Sequence, residues 1–297
     1  METEDLAKEI SRKYFGDNAK VIKKLVTTNN DVYIVSLKDK NYVLKFYRSK
    51  TWPENGKNLL VNSLLEQNNI PYAKVIGYDR DCELFGGYIL EERILGDSVD
   101  MGHLSCKLGE KYYSLLAKFI KKVHNIKFDK FGYLNNGNPL YSNFYDFLKD
   151  DFEDHARSLL KDKFINERQV NEIKKKFKMV FEKSNYTPCL CHGDLSLRNA
   201  IIDGEKLVLI DYDDASALPA LADIARMTFD MREYVESPKW RVSFLNSYFE
   251  NNEQIKEFEK FEKTYHIYCA IDWMDFAISK NHKFDDLLEY LRELLES

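Results

Sequence analysis

The sequence predicts an α+β protein of two lobes, a small β-rich one over residues 1–95 and a larger, mainly helical one over residues 96–297. Three observations carry that reading. Short β-branched and aromatic runs crowd the first lobe, apolar residues recur at helical spacing after Gly96, and one hairpin signal, Asp203-Gly204, interrupts the helical half. At 297 residues the chain can supply one large or two modest domains with their own cores.

In the first lobe, Leu6, Ile10 and Tyr14 outline a short amphipathic start. β-rich runs follow around 21–26, 32–37 and 42–47, and the break at Asp39-Lys40-Asn41 predicts a hairpin. A helical pattern from Leu59 to Glu66, a turn at Ile70-Pro71 and strands near 75–78 and 87–92 complete a five-strand sheet with one helix. In the second lobe, Tyr112, Leu115, Leu116, Phe119, Ile120 and Val123 form one buried helical stripe. Residues 222–234, 242–249 and 258–279 also read as helices, and the strands expected there are 200–202 and 207–210. The Lys- and Glu-rich stretch 161–183 reads as a solvated helix face, not a binding patch.

Composition narrows the function. A 44% apolar and 31% charged chain with six Pro and twelve Gly is neither disordered nor low-complexity. Forty-four basic against forty-nine acidic residues give a formal charge of −5 without a basic block, which argues against nucleic-acid binding and leaves cationic small molecules welcome. Five dispersed Cys, an odd number, fit reduced thiols better than a disulfide framework. With no apolar stretch long enough for a signal peptide or a membrane span, a cytoplasmic protein is expected.

The chemistry concentrates between Cys191 and Asp211. Asp203-Gly204 lies between two apolar β runs, so the chain is expected to fold back at Gly204-Glu205. Asn199 and Asp211 stand six residues either side of Glu205 and are expected as neighbours at the open end of that ladder, where facing Cβ atoms are about 4.5–5.5 Å apart. An amide oxygen beside a carboxylate suits Mg²⁺, a hard cation. Asp194, five residues before Asn199, is placed to accept the proton of an attacking hydroxyl. Cys189 and Cys191 read as buried strand cysteines, since no second thiol pair with zinc spacing exists.

His192-Gly193-Asp194 followed by Asn199, then Ile210-Asp211-Tyr212-Asp213-Asp214-Ala215 and Asp223-Ile224-Ala225, resembles the aminoglycoside phosphotransferase and choline kinase superfamily. The resemblance is sharpest over 189–225 and extends to nearly the whole chain. It implies a protein-kinase-like bilobal fold and Mg²⁺-dependent transfer of a phosphoryl group from ATP or GTP to a small-molecule hydroxyl. By it, Asp194 is the catalytic base, Asn199 and Asp211 hold Mg²⁺, His192 supports the loop, and Asp223 buttresses it. Lys45, in Tyr42-Val43-Leu44-Lys45, would grip the α- and β-phosphates; Thr28, in the glycine-free Thr27–Asp31 loop, would contact phosphate. The Glu92 carbonyl and Ile94 amide would take the adenine edge.

Two features depart from or add to that pattern. The helix carboxylate expected to pair with Lys45 falls at Asn58 or Leu59, so Glu54 is the nearest candidate. Arg198 could stabilise the transferring phosphoryl group or pair with Asp194 or Asp213. Asp272, Trp273 and Asp275 are candidates for the acceptor side. An aminoglycoside is the leading acceptor, with choline, ethanolamine, a sugar or a homoserine-type amino-alcohol as alternatives. A catalytically inactive nucleotide-binding pseudokinase is the reading of another class.

Overall fold

The computed structural model describes residues 3–25, 27, 30–81, 86–182 and 185–296. In chain order its elements are α1 (Thr3–Phe15), β1 (Lys20–Leu25), β2 (Asp31–Leu37), β3 (Lys40–Phe46), α2 (Lys57–Gln67), β4 (Val75–Asp79), β5 (Tyr88–Glu92) and β6 (Asp97–Ser98). They continue with α3 (Cys106–Val123), β7 (Gly132–Tyr133), α4 (Phe144–Lys161), α5 (Glu167–Phe181), β8 (Pro188–Cys191), β9 (Ala200–Asp203), β10 (Lys206–Leu209) and β11 (Ser216–Pro219). The last helices are α6 (Ala220–Met231), α7 (Ser237–Tyr248), α8 (Asn252–Lys280) and α9 (Asp285–Glu296). The chain divides into two compact units, one of residues 1–98, 135–137 and 200–213, the other of residues 99–134, 138–199 and 214–297.

The first unit is built on an antiparallel sheet ordered β1-β2-β3-β5-β4. Alternation decides which side chains serve it. Tyr42, Leu44 and Phe46 of β3 and Tyr88 and Leu90 of β5 join Leu6, Ala7 and Ile10 of α1 in one apolar core. Val43, Lys45, Ile89 and Glu91 consequently lie on the opposite face, and the register, Lys45 with Ile89 and Val43 with Glu91, makes Lys45 and Glu91 diagonal neighbours. A second, three-strand sheet in the same unit runs β10-β9-β6. Its hairpin turns at Gly204-Glu205 as expected, Asp203 pairing with Lys206 and Ala200 with Leu209, and Gly204 supplies the positive φ of 62°. That register puts Asn199 in line with Ile210, so the symmetric placement of Asn199 and Asp211 about Glu205 is one residue off.

In the second unit α4 and α6 pack on the long α8, and α3 packs on α7. The segment 161–183 holds α5, an amphipathic helix whose Val170, Ile173, Phe177 and Phe181 are buried while its Lys and Glu face outward. Cys189 and Cys191 do lie on a buried strand, β8, but the small sheet it forms, β7-β11-β8, was not legible in the sequence. β8 and β11 are four-residue, fully buried runs, Pro-Cys-Leu-Cys and Ser-Ala-Leu-Pro, with no apolar–polar alternation to mark them. Among the described residues, no helix is long and apolar enough to cross a membrane.

Candidate active site

Lys45 is the centre of the first unit's polar cluster. Its Nζ lies 2.8 Å from Asp211 Oδ1 and 2.8 Å from Asp213 Oδ2. Burial opposes its charge, but the Asp211 and Asp213 carboxylates outweigh that and hold Lys45 well above the ordinary lysine range. Asp213, 6% exposed, is itself enclosed. The Asn58 amide donates to its Oδ1 at 3.0 Å, the Tyr47 hydroxyl approaches the same oxygen at 3.4 Å, and Lys57 Nζ donates to its carbonyl at 3.1 Å. Asp211 has half of its side chain exposed and a φ of +66°, a left-handed backbone that an Asp tolerates better than most residues.

Glu91 sits on the Lys45 face of the sheet, and burial pushes its carboxyl up to about 7, with the Lys45 charge opposing. Lys45, Asn58, Glu91, Ile210 and Asp211 line one cavity of this unit, together with Asn62 and Tyr72.

Glu54 does not pair with Lys45. It makes its ion pair with Lys57, a fully buried lysine that also lies over the Trp52 ring at 4.0 Å. The reason is local: α2 starts at Lys57 after Gly56, which leaves Glu54 in the preceding turn, three residues from Lys57 and off the helix. The partner that sequence reasoning missed is Asp213. Asn58, at the position where a glutamate was expected, reaches Lys45 indirectly by bonding Asp213. The Asp-Tyr-Asp-Asp run of 211–214 was the only signal available for it.

At the end of β5 the Glu92 amide donates to the Lys74 carbonyl at 2.9 Å and the Arg93 amide to the Asn41 carbonyl at 3.1 Å. The Glu92 carbonyl and the Ile94 amide follow directly on these last ladder bonds. Thr28 lies outside the described residues.

The second unit holds Asp194 and its supports. Asp223, 2% exposed, accepts the His192 amide at 2.8 Å and the Gly193 amide at 3.0 Å, one on each oxygen. His124 Nε2 meets Asp223 Oδ2 at 3.1 Å. Burial works against ionising Asp223, but the His124 hydrogen bond, the His124 and His192 charges and the His192 amide hold it below the usual carboxylate range. The His192 ring is fully buried and its Nδ1 accepts the Asp194 amide at 3.3 Å, a positioning contact. Gly193 has φ +83°, and a Cβ there would stand 2.1 Å from the Asp214 carbonyl oxygen, so no larger residue fits.

Asn199 ends the short turn 197–199, and its amide nitrogen donates to Asp194 Oδ2 at 2.8 Å and to the Asp194 carbonyl at 2.9 Å. That use of the NH₂ group leaves Oδ1 as the atom Asn199 can offer a cation. Asp211 offers carboxylate oxygens, so the two donors are of the hard kind that Mg²⁺ takes, and the residues fit the ion. Arg198 pairs with neither Asp194 nor Asp213. Its guanidinium meets Asp230 on α6 at 3.2 Å, because the 197–199 turn carries it toward that helix.

Residues 25–258 match the phosphotransferase enzyme family APH. The chain belongs to that family. As an APH-family protein it is a small-molecule kinase, and its α+β fold is that of aminoglycoside phosphotransferase structures. A thermostable mutant of aminoglycoside phosphotransferase APH(4)-Ia, in ternary complex with ADP and hygromycin B, is 13% identical. That alignment covers 97% of this chain and 96% of the other, with a TM-score of 0.74. A putative fructosamine-3-kinase from Haemophilus somnus is 15% identical over 98% and 95%, with a TM-score of 0.68. An ethanolamine kinase from Plasmodium vivax is 18% identical over 98% and 85%, with a TM-score of 0.69. No curated protein sequence matches this APH-family chain.

Proposed function

We propose that this APH-family kinase transfers the γ-phosphate of ATP to a hydroxyl of an aminoglycoside in the cytoplasm. The observation that carries the reading is the Lys45–Asp211 pair, a buried lysine fixed 2.8 Å from a half-exposed carboxylate. Lys45 binds the α- and β-phosphates, and the Glu92 carbonyl and Ile94 amide take the adenine edge. Asp194 accepts the proton of the attacking hydroxyl, held in place by the Asn199 amide and by the His192 and Gly193 amides anchored on Asp223. Asn199 Oδ1 and Asp211 would hold Mg²⁺, which when bound neutralises phosphate charge. Thr28 would contact phosphate.

The aminoglycoside is favoured by the His192-Gly193-Asp194 resemblance, by the likeness to APH(4)-Ia and by the net charge of −5, which suits a polycationic acceptor. Fructosamine and ethanolamine kinases share the fold, so the acceptor is what the experiment must decide. ADP release is to be measured with Mg-ATP and separate additions of aminoglycosides, ethanolamine, choline and a fructosamine. The expected result is aminoglycoside-dependent release. Turnover with one of the other acceptors alone would replace the aminoglycoside, and no ADP formation with any of them would favour the pseudokinase.

A further inference from the structure

Behind the Asp223 brace lies a buried group of His124, Cys189 and Cys191 whose ligand atoms all fall within 4.8 Å of one another. We propose that it is a structural site for Zn²⁺, distinct from the Mg²⁺ donors Asn199 and Asp211.

The main chain sets the geometry. Cys189 and Cys191 are two apart on β8, so both thiols project from the same face of the strand. The segment after α3 runs antiparallel beside that strand: the Leu190 amide donates to the Ile126 carbonyl at 2.8 Å and the Phe128 amide to the Pro188 carbonyl at 3.0 Å. His124, the residue that closes α3, is therefore held against the two thiols by backbone bonds and not by a flexible arm. All three residues are buried, with 3%, 1% and 1% exposure.

The three protein donors would fill three corners of a tetrahedral zinc ion, with a water as the fourth ligand. Two sulfurs and an imidazole nitrogen are zinc ligands of the structural type. A carboxylate only accepts, so the His124 nitrogen facing Asp223, Nε2, carries a hydrogen, and Nδ1, 2.7 Å from the Tyr248 hydroxyl, is the nitrogen that would bind the ion once the ring is neutral. A metal-bound His that donates its other N–H to a carboxylate is the usual outer arrangement of zinc sites. The thiols donate to the carbonyls of Leu218 and Pro219 at 3.4–3.6 Å. Entry of Zn²⁺ replaces the two thiol protons, which leave to solvent. The ion would tie β8, the end of α3 and, through Asp223, the His192-Gly193 backbone into one rigid piece.

The test is a Co²⁺ titration of the full, reduced, metal-stripped chain. The expected result is one equivalent bound, with thiolate-to-cobalt charge transfer in the near ultraviolet and tetrahedral bands in the visible, all abolished by added Zn²⁺. Thermal unfolding of the same protein should shift upward with Zn²⁺. Cys189→Ala and Cys191→Ala should each lose the charge-transfer band, whereas Cys269→Ala, a buried thiol elsewhere, should keep it. Absence of the bands in the unsubstituted chain overturns the proposal even if the Ala variants fail to fold. Bands that survive in Cys191→Ala overturn it equally.

Discussion

Lys45 in the first unit and Asp223 in the second are both buried charges, 8% and 2% exposed, yet they are satisfied in different ways. Lys45 is held by two carboxylates that come from residues 166 and 168 positions away. Asp223 is held by two backbone amides and a histidine. Side-chain partners can be exchanged, and a lysine that holds carboxylates can instead hold a phosphate. Backbone amides cannot be re-aimed without moving the chain, so the Asp223 arrangement makes a rigid platform for Asp194. The difference is between a charge whose partners can be exchanged and one whose partners are fixed in the main chain.

The first way to break this comparison is Lys45→Met, which leaves Asp213 buried without its cation. Breaking a buried pair from one side costs about 3–5 kcal/mol, and urea unfolding with an unchanged denaturant slope should read a loss of that order. A loss below about 1 kcal/mol would place the pair with surface ion pairs and remove the contrast.

Asp194→Ala should do the reverse, affecting function without stability. Asp194 spends its side chain on one bond from Asn199, so unfolding should change by no more than about 1 kcal/mol. Turnover should fall at least the roughly 10²-fold typical of a lost acid–base group, with nucleotide binding retained. Equal turnover in the variant would withdraw the assignment of Asp194 as base.

A third cluster shows whether side-chain pairing is also the pH-sensitive mode. Burial opposes the charge of His155, but the Asp151 hydrogen bond, the Asp272 charge and the Asp275 hydrogen bond raise it to about 9. His155 Nδ1 lies 2.9 Å from Asp275. An unfolded His titrates near 6.5, so from there to about 9 the folded chain keeps a proton that the unfolded chain has lost. The stabilisation is full below pH 6.5 and fades as pH rises through 9. Denaturation midpoints should decline across that window, and His155→Gln should flatten the decline. An identical slope in the variant would assign the pH dependence to other groups.

These residues also show what a sequence can disclose. Asp194, Asn199, Asp211 and Asp223 were singled out because thirty residues of chain carry them in a recognisable spacing, and the β1–β5 sheet was legible because β-branched and aromatic residues crowd its strands. The pairing of β6 with β9 was not legible, since two residues, Asp97 and Ser98, give no pattern. Nor was the Lys45–Asp213 pair, or His124 beside Cys189 and Cys191. In each case partners far apart in sequence meet only through packing, and the local run around each reads as ordinary strand or helix. Glu54 misled for a related reason: its true partner, Lys57, was nearer in the chain than the lysine the family pattern suggested.

Arg198 gives the smallest expected effect and the finest test of the contrast between exchangeable side-chain partners and fixed main-chain ones. It is adjacent to Asn199 and carries a charge that would suit a transferring phosphoryl group, where such an arginine is worth about 10³-fold or more in turnover. In this chain its guanidinium is committed to Asp230, whose carboxyl burial raises to about 6, the Arg226 and Arg198 charges opposing. A side chain 42% exposed and paired with Asp230 has the geometry of a partly screened ion pair. Arg198→Ala should therefore cost less than about 1 kcal/mol of stability and less than about tenfold in turnover, by the same reasoning on surface pairs. A loss near the 10³-fold scale in kcat, with KM for the nucleotide unchanged, would show that Arg198 leaves Asp230 during the reaction and acts on the phosphoryl group.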